Sequence, residues 1–219
     1  MAHIIIIVSN HGDLAGEPNG TYMPELTHAV AVFDKHGVTY DLASPAGGVA
    51  PGYGRDADEL TTTMLADPAF SARLESTGRL AEVDPERYDG VYYPGGYGLL
   101  FDLIEDGESA RICAALYERG CPVSAVCHGP AALSRVKLSD GTGLIAGKQV
   151  TGFTREEEVA MDTLDKIPFL LEQAMMESGA TYRKVAAWQE LVVTDGNLIT
   201  GQNPPSAGAV GEALVARLV

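Results

Sequence analysis

Short apolar runs alternate with helix-like stretches along this chain, and this alternation limits its fold more than any other feature. Residues 4–9, 39–43, 91–93 and 123–126 are the apolar runs, and helical patterns over residues 24–36 and 110–119 separate them. Strands that alternate with helices build a parallel sheet covered by helices on both faces. The sequence therefore predicts an α/β fold with a mostly parallel sheet.

The C-terminal third predicts additions to that sheet. Residues 148–153 are expected to form a strand, and residues 191–194 and 198–200 to form a hairpin closed by the turn Asp195-Gly196-Asn197. Residues 204–219 predict a closing helix.

Residues 50–80 fit neither pattern, because they combine glycines with a mixed polar sequence. We expect a small insertion of short helices that covers one side of the sheet. No internal repeat, low-complexity tract or linker interrupts the chain, so a single domain over residues 1–219 is expected.

Composition excludes several classes of function. A net charge of −15 opposes binding to nucleic acid or anionic membranes, which need basic patches. The apolar run at residues 4–8 is too short for a membrane span or a secretory signal. Three cysteines, Cys113, Cys121 and Cys127, do not make a disulfide framework and suit a reducing cytoplasm; the first two are expected to fill the core.

A nucleophile elbow is indicated where the run 123–126 ends at Cys127. Ala125 and Gly129, two residues to either side, let the backbone turn sharply, and Pro130 suits the first turn of a helix. Such a turn is expected to expose the thiol, and the helix N-terminus to lower its pKa. The alternative is a buried cysteine at a strand end, since cysteine is often buried.

A cysteine nucleophile needs a base or a cationic neighbour. The adjacent His128 is the obvious one, because no histidine follows it in the chain. Of the others, His3, His28 and His36 are expected to be surface or packing residues, whereas His11 could line a pocket. No pair has the spacing of metal ligands, so no metal is expected.

Three further features could serve the thiol, although each is a weak signal alone. Gly95-Gly96 follows a strand and could bring backbone N–H groups to a reacting oxygen. Glu25 could simply be a favourable partner of a helix dipole. Glu156-Glu157-Glu158 would usually form a solvated helix face.

Together with the later segment Thr200-Gly201-Gln202-Asn203-Pro204-x-Ser206, five motifs that occur in order cover nearly the whole chain and resemble one family. They are Gly20-x-Tyr22-x-x-Glu25-Leu26, Ser44-Pro45-x-Gly47-Gly48, Tyr93-Pro94-Gly95-Gly96-x-Gly98-x-x-x-Asp102, Ala125-Val126-Cys127-His128-Gly129-Pro130 and Lys148-x-Val150-Thr151-Gly152-Phe153-Thr154-x-Glu156-Glu157-Glu158. This set resembles the ThiJ/PfpI superfamily, whose fold is that of the class I glutamine amidotransferases, and in particular its glyoxalase III-like, heat-shock chaperone branch.

The resemblance implies a flavodoxin-like three-layer sandwich with a triad of Cys127, His128 and Glu158. It further implies that Glu25 shares a proton with the thiol. The backbone N–H groups of Gly96 and His128 would hold an oxyanion, and the adjacent Gly95 would belong to the same oxyanion- or substrate-binding segment.

One position departs from the family pattern. Many relatives have Gly-Gly-His-Gly at the second site, whereas Tyr97 takes the place of that histidine here. The substitution is expected to alter the substrate or weaken the catalyst.

The leading functional hypothesis is a cofactor-independent glyoxalase, acting as a homodimer, that converts methylglyoxal or glyoxal into D-lactate or glycolate. Deglycation of side chains would be the same activity observed indirectly. The alternatives are a stress-response holdase chaperone with a redox-sensing thiol, or another small-molecule hydrolase or hydratase of the superfamily.

Overall fold

Four consecutive isoleucines, residues 4–7, lie in an inner strand of the sheet and are buried in the computed structural model, which describes residues 1–218. They belong to strand β1 (His3–Ile7). A strand with apolar side chains on both faces is buried on both sides, as in parallel sheets between helical layers.

The main sheet has seven strands: β1 (His3–Ile7), β2 (Thr39–Ser44), β3 (Gly78–Arg79), β4 (Gly90–Tyr93), β5 (Val123–Val126), β6 (Val192–Asp195) and β7 (Leu198–Gly201). Their order is β6-β7-β5-β4-β1-β2-β3. All neighbours are parallel except β6 and β7, which are antiparallel. The expected hairpin is therefore present, and it adds one reversed strand at the edge.

Eight α-helices accompany the sheet in the described part of the chain. They are α1 (Met23–Lys35), α2 (Glu59–Ala66), α3 (Pro68–Glu75), α4 (Leu99–Asp102), α5 (Gly107–Glu118), α6 (Arg155–Met161), α7 (Leu171–Glu177) and α8 (Ala207–Leu218). Short 3-10 helices cover Leu80–Glu82, Pro85–Arg87, Gly129–Leu133 and Pro204–Ser206. The predicted closing helix thus begins with a 3-10 turn, and its last residue, Val219, lies outside the described residues.

Two adjacent tyrosines of β4 show that helices cover both faces of the sheet. The Tyr92 hydroxyl donates to the Glu25 backbone oxygen in α1 at 2.7 Å, whereas the Tyr93 hydroxyl lies 3.0 Å from the Ser109 hydroxyl in α5. Successive side chains of a strand point to opposite faces. The helices α1 and α5 therefore lie on opposite sides, and the α/β three-layer sandwich is confirmed.

The prediction of a strand over residues 148–153 is wrong for most of its length. Only Gln149–Val150 pairs as a strand, with Thr181–Tyr182 in a separate two-stranded ladder. Beyond it, the Thr151 N–H donates to the Thr200 side chain and the Phe153 N–H to the Cys127 carbonyl. The segment therefore crosses the end of β5 instead of extending the sheet.

Residues 50–80 contain α2 and α3, as the mixed pattern suggested, and also β3 at the sheet edge. Helix α2 lies against α1, where the Thr27 and Thr61 hydroxyls are 2.8 Å apart. Elsewhere, Asp13–Leu14 pairs with Glu17–Pro18, and Thr21–Tyr22 with Gly52–Tyr53. Across residues 1–218, no helix combines the length and apolar character needed to cross a membrane.

Candidate active site

Cys127 directly follows the inner strand β5 and has a strained backbone conformation. Its φ is +59°, a left-handed value that is uncommon for residues with a side chain. Its N–H donates to the Gly201 oxygen at 3.0 Å, and its carbonyl accepts from the Phe153 N–H at 2.9 Å. A Cβ on Gly129 would lie 2.5 Å from the Tyr93 oxygen, so the turn needs glycine there. The backbone therefore has the sharp turn of a nucleophile elbow.

Two details of the predicted elbow are corrected. The segment after Cys127 is a five-residue 3-10 helix, Gly129–Leu133, rather than an α-helix, so little dipole acts on the sulfur. The thiol is also buried, with 4% of Cys127 exposed. The prediction of an exposed thiol at an α-helix N-terminus is wrong, because neighbouring side chains close over the turn.

The thiol contacts a buried histidine, which in turn contacts a buried carboxylate. The His128 Nδ1 atom lies 3.4 Å from the Cys127 Sγ, and the His128 Nε2 lies 2.7 Å from the Glu158 Oε1. Both side chains are almost fully buried. In the tautomer with hydrogen on Nε2, the ring donates to Glu158 and leaves Nδ1 free to accept the thiol proton.

The three successive glutamates of α6 are separated by their contacts. Glu156 forms an ion pair with Lys184 at 2.9 Å. Glu157 is buried and accepts five hydrogen bonds, so both its oxygens are occupied. Their donors are the Thr154 N–H and hydroxyl, the Trp188 N–H, and the side-chain amides of Gln202 and Asn203. Of the three carboxylates, that of Glu158 reaches His128.

Glu25 lies on α1 beside the thiol and is fully buried. Neither of its carboxylate oxygens has a hydrogen-bond partner among residues 1–218. Burial raises the pKa of Glu25 from its ordinary 4.5 to about 8, although the Cys127 thiol and the Gly95 backbone N–H lower it in part. At neutral pH this side chain therefore carries a proton next to the sulfur.

The thiol itself is affected by the same surroundings. Burial raises the pKa of Cys127, and the Glu25 carboxylate raises it further. The expectation of a lowered thiol pKa is therefore wrong. Below about pH 8 Glu25 is protonated and uncharged, so it no longer disfavours the Cys127 thiolate by charge repulsion. Its O–H group can instead stabilise the thiolate as a hydrogen-bond donor. The pH at which the Cys127 thiolate forms therefore depends on whether Glu25 is protonated.

Glycines allow the backbone to approach this pair closely. A Cβ on Gly95 would collide with Glu25 Oε2 and lie 2.6 Å from the Cys127 Cβ. Gly96 has φ +116°, a region that favours glycine. No hydrogen bond recorded over residues 1–218 uses the N–H groups of Gly96 and His128. Both remain free to hold an oxyanion.

A small pocket of about 130 Å³ opens onto the thiol, and aromatic rings form most of its wall. The centroids of the Tyr97 and Phe153 rings lie 4.5 and 4.6 Å from the centroid of the His128 ring. Tyr22, Tyr53, Met161, Trp188 and Pro204 complete the lining. With no lysine or arginine in this lining, the pocket suits a small uncharged molecule.

The remaining histidines lie away from the pocket lining. His3, His28 and His36 are partly exposed, as expected, and contact the carboxylates of Asp41, Asp58 and Glu212. His11 stacks on Phe101 with ring centroids 4.2 Å apart, so the suggestion that it lines the pocket is wrong. Among residues 1–218, no group of three His, Cys, Asp or Glu side chains could hold a metal ion.

Thr163 and Trp188 are among the polar and aromatic contributors to the site that sequence reasoning missed. Thr163 donates a hydrogen bond to Glu158, and Trp188, at φ +65°, forms part of the pocket wall. Thr163 is five residues beyond Glu158 and follows the helix end, so no periodic pattern marks it. Trp188 is the single tryptophan of the chain, which was the one available signal.

Comparison with known proteins identifies the family. The model of the DJ-1/PfpI family matches residues 18–217. This chain belongs to the DJ-1/PfpI family. Glyoxalase 3 of Candida albicans is 32% identical over 92% of this chain and 90% of its own length. A glutathione-independent glyoxalase of Saccharomyces cerevisiae is 30% identical, covering 93% of this chain and 92% of its own.

Two solved structures have the same fold over almost the whole of both chains. The Rapid Encystment Protein 24 kDa of Francisella tularensis has a TM-score of 0.96 at 29% identity, covering 100% of both chains. Glyoxalase III of Candida albicans has a TM-score of 0.90 at 28% identity, covering 99% of this chain and 97% of its own. The resemblance to the ThiJ/PfpI superfamily and the flavodoxin-like fold that it implied are both confirmed.

Proposed function

We propose that this chain is a glutathione-independent glyoxalase that converts methylglyoxal or glyoxal and water into D-lactate or glycolate. Cys127, His128, Glu158 and Glu25 are the proposed catalytic residues. The observation that carries the proposal is the pair of proton-transfer groups at one buried sulfur, with His128 Nδ1 at 3.4 Å and the protonated Glu25 beside it. The full-length similarity to glyoxalases supports it.

The chemistry begins with addition of the thiol to the aldehyde. His128 accepts the thiol proton, the sulfur bonds to the aldehyde carbon, and the carbonyl oxygen becomes an oxyanion held by the N–H groups of Gly96 and His128. Protonation of this oxygen gives a hemithioacetal. Glu158 stabilises the imidazolium while His128 holds the extra proton.

Isomerisation and hydrolysis complete the reaction. A base removes the proton from the former aldehyde carbon to give an enediol, and reprotonation at the adjacent carbon gives a 2-hydroxyacyl thioester. Water then cleaves the thioester, releasing the 2-hydroxy acid and restoring the thiol, so the net change is addition of one water. Glu25 and His128 are the two groups placed to move these protons.

The pocket supports a small uncharged substrate. Its volume of about 130 Å³ admits a few heavy atoms, and its aromatic wall excludes water around the hemithioacetal. Tyr97 takes part in this wall, so its replacement of the family histidine acts on substrate fit. No step needs a cofactor, because both proton-transfer groups come from the chain itself.

The proposed setting is a cytoplasmic homodimer. Cys113, Cys121 and Cys127 are all free thiols, which fits a reducing compartment. The homodimer is inferred from the family resemblance, and sedimentation at micromolar concentration tests it. A holdase role remains the second candidate, since Met161 and Trp188 expose large apolar surfaces at the pocket mouth.

Turnover by purified protein tests the function. The protein is incubated with methylglyoxal without glutathione, and lactate is resolved by chirality. Cys127→Ser should lower turnover at least about a hundredfold, since the nucleophile is lost. Cys121→Ala, which removes a half-buried thiol away from the pocket, should leave it unchanged. Full turnover by Cys127→Ser would refute the mechanism, whereas unchanged suppression of protein aggregation alone would favour the holdase.

A further inference from the structure

A second hydroxyl lies behind the carboxylate that contacts His128. Thr163 donates a short hydrogen bond to Glu158 Oε2, on the oxygen that does not face the imidazole. The Tyr97 hydroxyl in turn donates to Thr163 Oγ1 at 3.1 Å. The hydrogen bonds therefore run from Tyr97 through Thr163 to the Glu158 carboxylate, which accepts from the His128 ring on its other oxygen.

We propose that Thr163 is a positioning residue for the Glu158 carboxylate, and that Tyr97 supports it by fixing the direction of the Thr163 hydroxyl. This inference rests on the proposed glyoxalase function, because it assigns both residues to the same site. It also explains how a tyrosine at position 97 can serve the site although the residue is not a histidine.

The burial of Glu158 makes this contact necessary. The Glu158 side chain has no exposed surface, so water cannot solvate the oxygen that faces away from His128. A buried carboxylate oxygen without a donor is costly, and a free carboxylate could rotate away from the imidazole. Thr163 satisfies that oxygen, and its own N–H is fixed to the Glu158 backbone carbonyl at 3.2 Å.

The local backbone holds Thr163 in position. Helix α6 ends at Asp162, which has a left-handed φ of +55°, and the chain turns there to bring Thr163 back toward Glu158. The threonine is nearly fully buried. Besides the Glu158 carboxylate, its hydroxyl lies 3.2 Å from one other acceptor, the Glu158 backbone oxygen.

Tyr97 is suited to remain a hydrogen-bond donor. Burial and the Glu158 charge both raise the pKa of Tyr97, so the phenol keeps its proton at any pH used for assay. With this donor in place, the single Thr163 proton is directed to Glu158. Hydrogen bonds arranged donor to acceptor in this way strengthen one another. The titratable groups of this series are Tyr97, Glu158 and His128, and the Cys127 thiol lies next to His128.

Three variants and one matched control test the proposal. Thr163→Val keeps the shape and removes the donor, Thr163→Ser keeps the donor, and Tyr97→Phe removes the second hydroxyl. Tyr88→Phe is the control, because the buried Tyr88 also donates to a carboxylate, Asp41, at 2.9 Å, but lies outside the pocket lining. Each protein is checked by thermal unfolding before its kinetics are measured.

With methylglyoxal, Thr163→Val should lower kcat about tenfold, since a hydrogen bond to a charged group is lost, while KM changes less than about twofold. The acidic limb of the pH profile of kcat/KM should move to higher pH. Tyr97→Phe should act in the same direction and more weakly, and Thr163→Ser should restore the wild-type profile. Tyr88→Phe should change neither kcat nor the profile.

A second measurement does not depend on the substrate. The rate of Cys127 alkylation by iodoacetamide, mapped by mass spectrometry against pH, should fall severalfold at neutral pH in Thr163→Val and return in Thr163→Ser. If wild-type protein shows no methylglyoxal turnover, the proposed function fails, but this profile still tests the positioning role. Wild-type alkylation and pH profiles in both Thr163→Val and Tyr97→Phe would overturn the inference, as would an effect of Thr163→Val on thermal unfolding alone.

Discussion

At the residue scale, Glu156, Glu157 and Glu158 have the same side chain at successive positions of α6 but meet different surroundings. Successive side chains of a helix point about 100° apart, so they cannot share a partner. Glu156 is paired with Lys184 at the surface. Glu157 joins three segments of the chain through the backbone N–H groups of Thr154 and Trp188 and the side-chain amides of residues 202–203. Surroundings, rather than side-chain chemistry, leave Glu158 as the carboxylate that can act on His128.

Substitution of each glutamate should separate these roles. Glu158→Gln should lower kcat about tenfold or more, because an orienting carboxylate is lost next to the imidazole. Glu156→Gln should change kcat little, since its ion pair is at the surface. Steady-state kinetics with methylglyoxal make the comparison. Equal losses in both variants would contradict the assignment of the acid to Glu158.

Glu157→Gln belongs to a different test. The amide cannot accept all five hydrogen bonds, so the free energy of unfolding should fall by about 1–3 kcal/mol, as when buried donors lose their partner. Urea denaturation measures this change. An unchanged unfolding midpoint would show that Glu157 does not hold these segments together.

Glu25 should make stability depend on pH. Its pKa is about 8 in the folded protein against an ordinary 4.5, so the folded state keeps a proton that the unfolded state has lost. The free energy of unfolding should therefore fall as pH rises from about 4.5 and level off above about 8. Glu25→Gln should remove this decline. Urea denaturation of both proteins from pH 4 to 9 checks it, and parallel curves would rule out a buried proton at Glu25.

At the element scale, the nucleophile elbow depends on glycines in the segments that follow β4 and β5. Gly95, after β4, has no room for a Cβ beside Glu25 and Cys127, and a Cβ on Gly129 would collide with the Tyr93 carbonyl. Side chains at these positions would push the thiol away from its partners. The end of β4 and the end of β5 therefore form one rigid unit around the sulfur.

A methyl group at Gly95 tests this unit. Gly95→Ala should destabilise the fold by about 1–3 kcal/mol through overpacking and lower kcat about tenfold or more through displacement of the thiol. Gly107→Ala is the matched control, because its Cβ would meet open space at the start of α5. Urea denaturation and methylglyoxal kinetics serve both. A neutral Gly95→Ala would show that the turn can adapt.

Sequence patterns predicted the helices and strands that are specified by residues close together in the sequence. The buried run of β1, the helix α1 and the hairpin around Gly196 were predictable because apolar spacing and turn residues specify them directly. The segment 148–153 was not, because Thr151 and Phe153 satisfy their N–H groups through Thr200 and Cys127, which are distant in sequence. Apolar character alone does not distinguish such a crossing segment from a strand.

The candidate site was predictable only in part for the same reason. Cys127, His128, Gly95 and Gly96 lie in short motifs, so their positions could be proposed from the sequence. The burial of the thiol could not, because it depends on rings contributed by Tyr53 and Trp188, which lie far away in sequence.

At the scale of the whole molecule, charge and pocket chemistry agree. The chain carries a net charge of −15, and the pocket lining contains no cationic side chain. A negative protein repels anions over distances up to the Debye length, and a buried apolar pocket adds a desolvation cost for a charged ligand. Neutral 2-oxoaldehydes are favoured over charged analogues by both effects, and the anionic 2-hydroxy acid product is expelled by them.

4,5-Dioxopentanoate, which keeps the 2-oxoaldehyde group of methylglyoxal and carries a carboxylate at the end of a short chain, tests this selectivity. Its kcat/KM should be at least about a hundredfold lower than that of methylglyoxal, because the charge must be buried without a partner. Raising the ionic strength from about 20 to about 200 mM should improve turnover of 4,5-dioxopentanoate by screening the repulsion and leave methylglyoxal turnover nearly unchanged. Consumption of each aldehyde at both salt concentrations provides the measurement. Comparable kcat/KM for the two substrates, independent of salt, would show that neither the charge of the molecule nor the apolar wall selects the substrate.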